Sequence, residues 1–226
     1  MSDKDQHTFI PLPYERMSES EMIEKSRSFA DSISKRRSVR EFSTDPVPME
    51  IIENAIRAAG SAPSGANKQP WTYCVVTCAD LKRRIRVSAE EEEFRNYHGR
   101  MSESWLEDLE PLGTNHQKPF IEDAPVLIIV FKKIYDQEEP TGSKKNNYYV
   151  NESIGISVGM LLTALHQSGL ATLTHTPSPM NFLEKLLNRP ANERAYLNIP
   201  VGYPKNGTEV PNIHRKGLDD IMVSYI

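Results

Sequence analysis

The chain has 226 residues, of which 38% are hydrophobic, and this is enough for one domain with its own core. Its 27 Lys and Arg against 31 Asp and Glu give a net charge of −4, which argues against a nucleic-acid binder. The sequence shows neither a signal peptide nor a run of about 18 apolar residues, so we expect a cytoplasmic protein with no membrane partner.

The cysteines and histidines exclude two kinds of structural site. If the extended backbone of the predicted strand continues to residue 78, Cys74 and Cys78 lie about 13 Å apart, which is too far for a disulfide. We expect both to be core thiols in a reducing compartment. The six histidines are scattered without the close spacing of a zinc site, so we expect no structural metal.

The first half of the chain alternates helices with loops. Residues 1–17 form an N-terminal extension, and Ser18 is a serine cap for a helix that reaches Ile33. A proline in the first turn, followed by apolar residues at helical spacing, predicts a second helix over residues 48–60. Aromatic and β-branched residues predict a strand over 71–77, and a charged helix follows over 79–97.

The second half contains the predicted centre of the sheet. Residues 126–131 form a continuous apolar run, which is the pattern of a strand buried on both faces. An apolar helix over 149–168 has Gly155 and Gly159 one turn apart, which indicates that another helix packs closely there, within the chain or from a second subunit. The other predicted segments are a short helix around Trp105, a surface loop over 132–147, strands over 171–176 and 196–201, a short helix over 182–187, and a C-terminal arm over about 205–226. This alternation predicts a single mixed α/β domain.

A basic cluster follows the first helix. Arg36, Arg37 and Arg40 surround Ser38, and guanidinium groups with a hydroxyl can together bind a phosphate monoester. From the residues alone, such a run of cations is usually a solvated charged face, and phosphate binding is the alternative. Because the chain as a whole has a net charge of −4, this local cluster of cations favours the phosphate-binding interpretation.

A loop of small residues precedes the first predicted strand. Pro63, Ser64, Gly65 and Ala66 would let a flat ring approach backbone N–H groups, and the side chain of Asn67 can donate to and accept from a heterocycle. The alternative is a plain connecting turn, because such turns commonly use the same residue types.

Together these motifs resemble a known family. The chain carries Arg-Arg-Ser-x-Arg at 36–40, Pro-Ser-Gly at 63–65, Gln-Pro-Trp at 69–71 and Gly-Tyr-Pro at 202–204. This set is similar to the FMN-dependent nitroreductase superfamily. Residues 62–66, 91–97, Lys118 and 215–223 resemble its iodotyrosine deiodinases, and the likeness spans about residues 33–223. The resemblance implies an α+β, nitroreductase-like fold, with a central, mostly antiparallel sheet flanked by helices, in a domain-swapped homodimer.

The resemblance also implies an FMN site. Ser64 and Gly65 match a loop that touches the flavin from the partner subunit. Thr174 or Thr176 is expected beside flavin N5, and His175 stands where the family has a threonine. The predicted cofactor-binding residues are Arg36, Arg37, Ser38, Arg40, Ser64, Gly65, Asn67, Thr174, His175, Thr176 and Arg215.

A second set of residues fits an amino acid substrate. Glu93 and Tyr97 are spaced i, i+4 on one helix face, and Lys118 follows across a segment, about 93–120, that we interpret as a lid. A zwitterion needs an anion for its ammonium and a cation for its carboxylate, and Glu93 and Lys118 supply one of each. The alternative is a solvated acidic helix face over 90–93.

The implied activity is reductive dehalogenation of iodo-, bromo- or chlorotyrosine to tyrosine and halide. Thr174, Thr176 and Ala66 would be catalytic, with the Ala66 N–H stabilising the phenolate oxygen. We expect NAD(P)H as the ultimate reductant, directly or through a separate reductase. Vertebrate members carry an N-terminal membrane anchor that is not seen in this sequence, so we expect a soluble, bacterial-type protein.

Two other functions remain open at this point. The same flavin site could serve a general NAD(P)H-dependent nitroreductase or quinone reductase, or the protein could bind flavin or halotyrosine without catalysis. A generalist reductase would not require Glu93, Tyr97 and Lys118, which favours the dehalogenase.

Overall fold

The computed structural model describes residues 9–138 and 141–226, and the chain divides into two compact units, Met1–Lys35 and Arg36–Ile226. In the first unit, helix α1 (Glu19–Ser34) starts at the predicted serine cap. The Glu21 N–H donates to the Ser18 hydroxyl at 3.3 Å, and the Ser18 N–H donates to the Glu21 carboxylate at 3.0 Å. This reciprocal capping satisfies two backbone donors that the first helical turn leaves open. Residues 1–8 of the predicted extension lie outside the described residues.

The second unit contains a four-stranded sheet and a separate hairpin. The strands pair in the order β1-β2-β6-β5, and each ladder is antiparallel. The strands are β1 (Trp71–Val76), β2 (Val126–Lys133), β3 (Tyr135–Glu138), β4 (Ser143–Asn146), β5 (Ala171–Thr172) and β6 (Glu193–Gly202). The helices are α2 (Met49–Gly60), α3 (Ala79–Arg95), α4 (Glu103–Leu109), α5 (Phe120–Asp123), α6 (Val150–Gln167) and α7 (Asn181–Leu186). The predicted mixed α/β fold with an antiparallel sheet is confirmed.

Strand β2 lies inside the sheet, as its apolar run predicts. Leu127, Ile129 and Phe131 point to one side and belong to a core cluster with residues of α3, α5 and α7. Residues 126, 128 and 130 point to the other side and pack with α2 and α6. Because alternate side chains of a strand face opposite sides, one continuous apolar segment supplies both cores.

Several element boundaries differ from the prediction. The segment 132–147 is not a loop: β3 and β4 pair within it as an exposed hairpin, and residues 139–140 lie outside the described part. The hairpin was missed because it has no buried face and therefore no apolar alternation. The predicted strand over 171–176 ends at Thr172, after which His175 alone pairs with Asn198. The α-helix of 79–97 ends at Arg95 and continues as a π-helical turn, Asn96–Arg100.

The expectation for Cys78 was wrong. Strand β1 ends at Val76, so Cys78 leaves the sheet and becomes the exposed residue before α3. Cys74 is half-buried on the strand, and both thiols are free. Across residues 9–138 and 141–226, we find no helix that combines the length and the apolar character needed to cross a membrane.

Replacing Ile129 with Ala will test the central position of β2. Ile129 is fully buried, so the substitution should lower the free energy of unfolding by about 2 to 5 kcal/mol. Val87 on α3 is half-exposed, and Val87→Ala should change it by less than about 0.5 kcal/mol. Urea denaturation measures both values, and equal losses would contradict this assignment of the core.

Candidate active site

A cavity of about 240 Å³ brings the predicted basic cluster together with the C-terminal arm. We call it the arginine cavity. It is lined by Arg36, Arg37, Ser38, Arg40, Leu112, Pro211, Ile213 and Arg215. Leu112 comes from the predicted lid, so the basic cluster, lid and arm share one pocket.

Backbone contacts hold the basic segment in place. The Val39 N–H donates to the Thr172 carbonyl at 3.1 Å, and Ser38 forms a parallel bridge with Thr172 at the edge of the sheet. The Arg215 guanidinium donates to the Arg36 carbonyl at 2.5 Å. Val39 is buried while its neighbours are only half-buried. The extended backbone therefore anchors this segment through Val39 and leaves the cationic side chains at the cavity.

The electrostatics of the arginine cavity favour an anion. Burial lowers the pKa of Arg36, and the nearby charges of Arg215 and Arg37 lower it further. Burial also lowers the pKa of Arg40. Among the residues the structure describes, no acidic side chain lines this cavity. The donors present, guanidinium forks and a hydroxyl, match a phosphate group.

The small-residue loop has an unusual backbone. Ala66, Asn67 and Gln69 have positive φ angles of 49°, 52° and 46°, a conformation that non-glycine residues seldom adopt and that often marks a functional constraint. The Gln69 N–H donates to the Ser64 hydroxyl at 2.9 Å, so this hydroxyl supports the loop itself. Ala66 and Asn67 are exposed, which leaves them open to a ligand.

The loop packs against the start of α6. The Gly65 N–H donates to the Ser153 hydroxyl at 3.3 Å. A Cβ on Gly65 would lie 2.9 Å from the Tyr148 carbonyl oxygen, so a glycine is required for this close approach. Within the described part of the chain, no residue of this loop lines the arginine cavity. The arginine cavity is therefore formed without this second predicted part of the flavin site.

Glu93, Lys118 and Tyr97 do come together. Lys118 Nζ lies 3.3 Å from Glu93 Oε2 and 5.4 Å from the centre of the Tyr97 ring. Glu93 and Lys118 are only 6% and 3% exposed, so the alternative of a solvated acidic face does not apply to Glu93. The exposed Glu91 on the same helix does fit that alternative.

Burial and mutual attraction set the charges of this pair. Burial raises the pKa of Glu93, but His175 and Lys118 outweigh it and hold this pKa below its usual value. Burial lowers the pKa of Lys118, and Glu93 partly opposes that change. A buried ion pair is stable only while each charge keeps a partner. The ammonium group of a bound zwitterion could take the place of Lys118 beside Glu93, and its carboxylate could take the place of Glu93 beside Lys118.

The segment between α4 and α5 positions Lys118. The Lys118 N–H donates to the Glu90 carboxylate at 2.6 Å, and Lys118 Nζ donates to the Thr114 hydroxyl at 3.2 Å. A cavity of about 190 Å³ runs along this segment and is bordered by Arg40, which also lines the arginine cavity. Arg40 thus borders both the arginine cavity and the cavity beside the segment that carries Lys118.

The segment after β5 separates its three predicted site residues. Thr174 and Thr176 are exposed, whereas His175 between them is only 9% exposed. His175 Nε2 lies 3.8 Å from Glu93 Oε1, and its ring meets the edge of Phe120 at 5.3 Å between centroids. The contact with Glu93 was missed, although the alternation of an extended segment could have indicated that residue 175 faces inward.

The similarity to known proteins spans both the sheet and the site. Residues 33–203 match the family model described as "Nitroreductase family". The iodotyrosine deiodinase of Haliscomenobacter hydrossis is 53% identical over 98% of this chain and 100% of that protein. The iodotyrosine deiodinase of Nematostella vectensis is 48% identical over 99% of this chain and 85% of that protein. A crystal structure of oxidized iodotyrosine deiodinase bound to FMN and 3-iodo-L-tyrosine has a TM-score of 0.74 at 30% identity, covering 88% of this chain and 98% of that chain.

Replacing Gly65 with Ala will test the close approach of the loop to α6. The new Cβ would collide with a backbone oxygen, so the free energy of unfolding should fall by about 1 to 3 kcal/mol. Gly60 ends α2, and a Cβ added there would meet no atom within 4 Å. Gly60→Ala should therefore keep or raise stability, and equal behaviour of the two variants in denaturation experiments would refute the contact.

Proposed function

This chain belongs to the nitroreductase family and, within it, to the iodotyrosine deiodinases, and we propose that it reductively dehalogenates 3-halotyrosines with bound FMN. The observation that carries the proposal is the buried Glu93–Lys118 pair, 3.3 Å apart. Arg40 lines an arginine cavity suited to phosphate, and it also borders the cavity beside the segment that carries Lys118. A generalist nitroreductase or quinone reductase has no need for such a pair.

The arginine cavity fits the FMN phosphate. Its guanidinium groups, from Arg36, Arg37, Arg40 and Arg215, offer charged donors, and Ser38 adds a hydroxyl. FMN, when bound, supplies the redox chemistry, while the protein supplies binding, orientation and electrostatics. Thr174 and Thr176, both exposed after β5, are the proposed donors to the edge of the flavin ring.

The buried pair forms the proposed clamp for the amino acid group. Glu93 binds the substrate ammonium, Lys118 binds its carboxylate, and the Tyr97 phenol completes the clamp beside Lys118. When these groups exchange partners, both protein charges remain compensated, so binding does not leave a buried charge unpaired. The lid over residues 93–120 then excludes water from the halogenated ring.

The reaction replaces a carbon–halogen bond by a carbon–hydrogen bond. It consumes two electrons and one proton, and it releases halide and tyrosine. The Ala66 N–H, presented on an exposed turn with a φ of 49°, is the proposed donor to the phenolate oxygen. Stabilising charge on that oxygen favours the keto form, in which the halogen-bearing carbon is sp³. NAD(P)H is the proposed ultimate source of electrons.

A homodimer would complete this site. No residue of the Ser64–Asn67 loop is among those that line the arginine cavity in the described part of the chain, and we propose that this loop serves the cavity of the partner subunit. Helix α6 exposes Gly155, Ile156 and Gly159 on one face, which gives a second helix room to pack closely. The C-terminal arm exposes further apolar side chains that a partner could cover, namely Leu218, Ile221, Met222 and Val223.

Anaerobic turnover will test the reaction. The FMN-loaded protein, reduced with dithionite, should convert 3-iodotyrosine to tyrosine and stoichiometric iodide, measured by chromatography and an iodide electrode. A nitroaromatic under the same conditions is the control substrate. Reduction of the nitroaromatic without iodide release would instead establish the generalist reductase. Binding of iodotyrosine without oxidation of the reduced protein would establish a non-catalytic binder.

Variants of the clamp will test substrate recognition. Glu93→Gln and Lys118→Ala each remove one side of a charge-assisted contact worth roughly 1.5 to 3 kcal/mol. Each should therefore weaken 3-iodotyrosine binding by about 10- to 150-fold in calorimetry while the affinity for FMN is retained. Glu91→Gln, an exposed change on the same helix, is the matched control and should have no effect. Unchanged affinity in both clamp variants would rule the clamp out.

A further inference from the structure

His175 occupies a different position from its flanking threonines. Its side chain is buried, whereas Thr174 and Thr176 are exposed. Within the described residues, neither ring nitrogen has a hydrogen-bond partner, and Nε2 lies 3.8 Å from Glu93 Oε1. Buried polar nitrogens are costly to leave unpaired. A ring placed in this way is suited to contact Glu93.

The sheet holds this ring rigidly. The His175 N–H donates to the Asn198 carbonyl at 2.9 Å, and the Asn198 N–H donates back at 2.9 Å. Asn198 lies in β6 and is fully buried, and Phe120 packs its ring at right angles to the imidazole. Glu93 and Lys118, by contrast, come from α3 and from the segment before α5. His175 is therefore the member of this cluster that belongs to the sheet.

The charges around the ring favour its neutral form. Burial lowers the pKa of His175, and Lys118 and Arg40 lower it further, while the contact with Glu93 acts in the opposite direction. A neutral imidazole carries one N–H and can donate it to a carboxylate. It can therefore fix Glu93 without neutralising the negative charge that an ammonium group needs.

We propose that His175 is a positioning residue for Glu93: its Nε2–H holds Oε1 and so keeps the carboxylate directed at the substrate ammonium. This inference rests on the proposed function. In the protein without substrate, Lys118 anchors Oε2 at 3.3 Å. When Lys118 turns to the substrate carboxylate, Glu93 loses that anchor. A movement of about 1 Å would then bring Oε1 into hydrogen-bond range of His175.

The consequence is a preference for ligands that carry an ammonium group. His175 would strengthen the binding of 3-iodotyrosine through Glu93. It would not affect 3-(4-hydroxy-3-iodophenyl)propionate, which keeps the ring and the carboxylate but has no ammonium. A role in packing alone would affect both ligands equally.

Three variants of the FMN-loaded protein separate these roles. His175→Leu keeps the bulk of the side chain but removes the N–H. His175→Gln keeps an N–H donor of similar reach. His175→Thr introduces a smaller side chain, whose hydroxyl does not reach Glu93. Affinities for both ligands are measured by flavin fluorescence, and FMN retention is measured by absorbance. His175→Leu and His175→Thr should weaken 3-iodotyrosine binding about tenfold, the effect of losing a hydrogen bond to a charged group. His175→Gln should stay within about threefold, and the propionate should be unaffected.

The outcomes are decisive in each direction. The proposal would be overturned if the Leu and Thr variants bound 3-iodotyrosine within about twofold of the original affinity. It would also be overturned if the Gln variant bound 3-iodotyrosine as weakly as the Leu variant. An equal loss for the propionate would reduce His175 to a packing role. If Leu does not fold, Thr and Gln still decide the question. If the unaltered holoenzyme fails to bind 3-iodotyrosine at all, both the proposed function and this inference are wrong. If the unaltered holoenzyme binds 3-iodotyrosine and the His175 variants bind it equally well, only this inference is wrong.

Discussion

The two-sided burial of β2 is the constraint on which the rest of the second unit depends. Its alternating apolar side chains supply both cores, so helices must cover both faces of the sheet. Helices α2 and α6 cover one face, while α3, α5 and α7 cover the other. Because α3 and α5 lie on the same face, Glu93 and Lys118 are brought together from positions 25 residues apart in the chain.

The sheet also sets the position of the cofactor region. Strand β5 is only two residues long, but its edge accepts the Val39 N–H and so holds the basic segment next to it. The same chain then reaches His175, whose backbone pairs with Asn198 of β6 and whose ring lies 3.8 Å from the Glu93 carboxylate. The proposed phosphate site is thus attached to this edge of the sheet, and His175 brings the same edge close to the proposed substrate clamp. Arg40 borders both the arginine cavity and the cavity beside the segment that carries Lys118.

Buried charge would give the proposed clamp its selectivity. Removing Glu93 and Lys118 from water is costly, and their mutual contact offsets that cost while no substrate is bound. A ligand that offers a cation and an anion at the correct spacing opens the pair without leaving either buried charge unpaired. Neutral nitroaromatics and quinones offer neither. The same physics that stabilises the closed pair therefore favours an amino acid zwitterion over the usual substrates of a generalist flavin reductase.

The sequence alone determined those features that depend on local pattern. The serine cap, the apolar run of β2, the basic cluster and the spacing of Glu93 and Tyr97 could all be read directly, because each reflects neighbouring residues. The exposed hairpin was missed because it buries no face, and the environment predicted for Cys78 was wrong because strand β1 ends at Val76, before Cys78. Only the tertiary structure decided that His175 faces Glu93 and that Leu112 and Pro211 line the arginine cavity. These facts depend on which distant segments meet, and neither local propensity nor spacing contains that information.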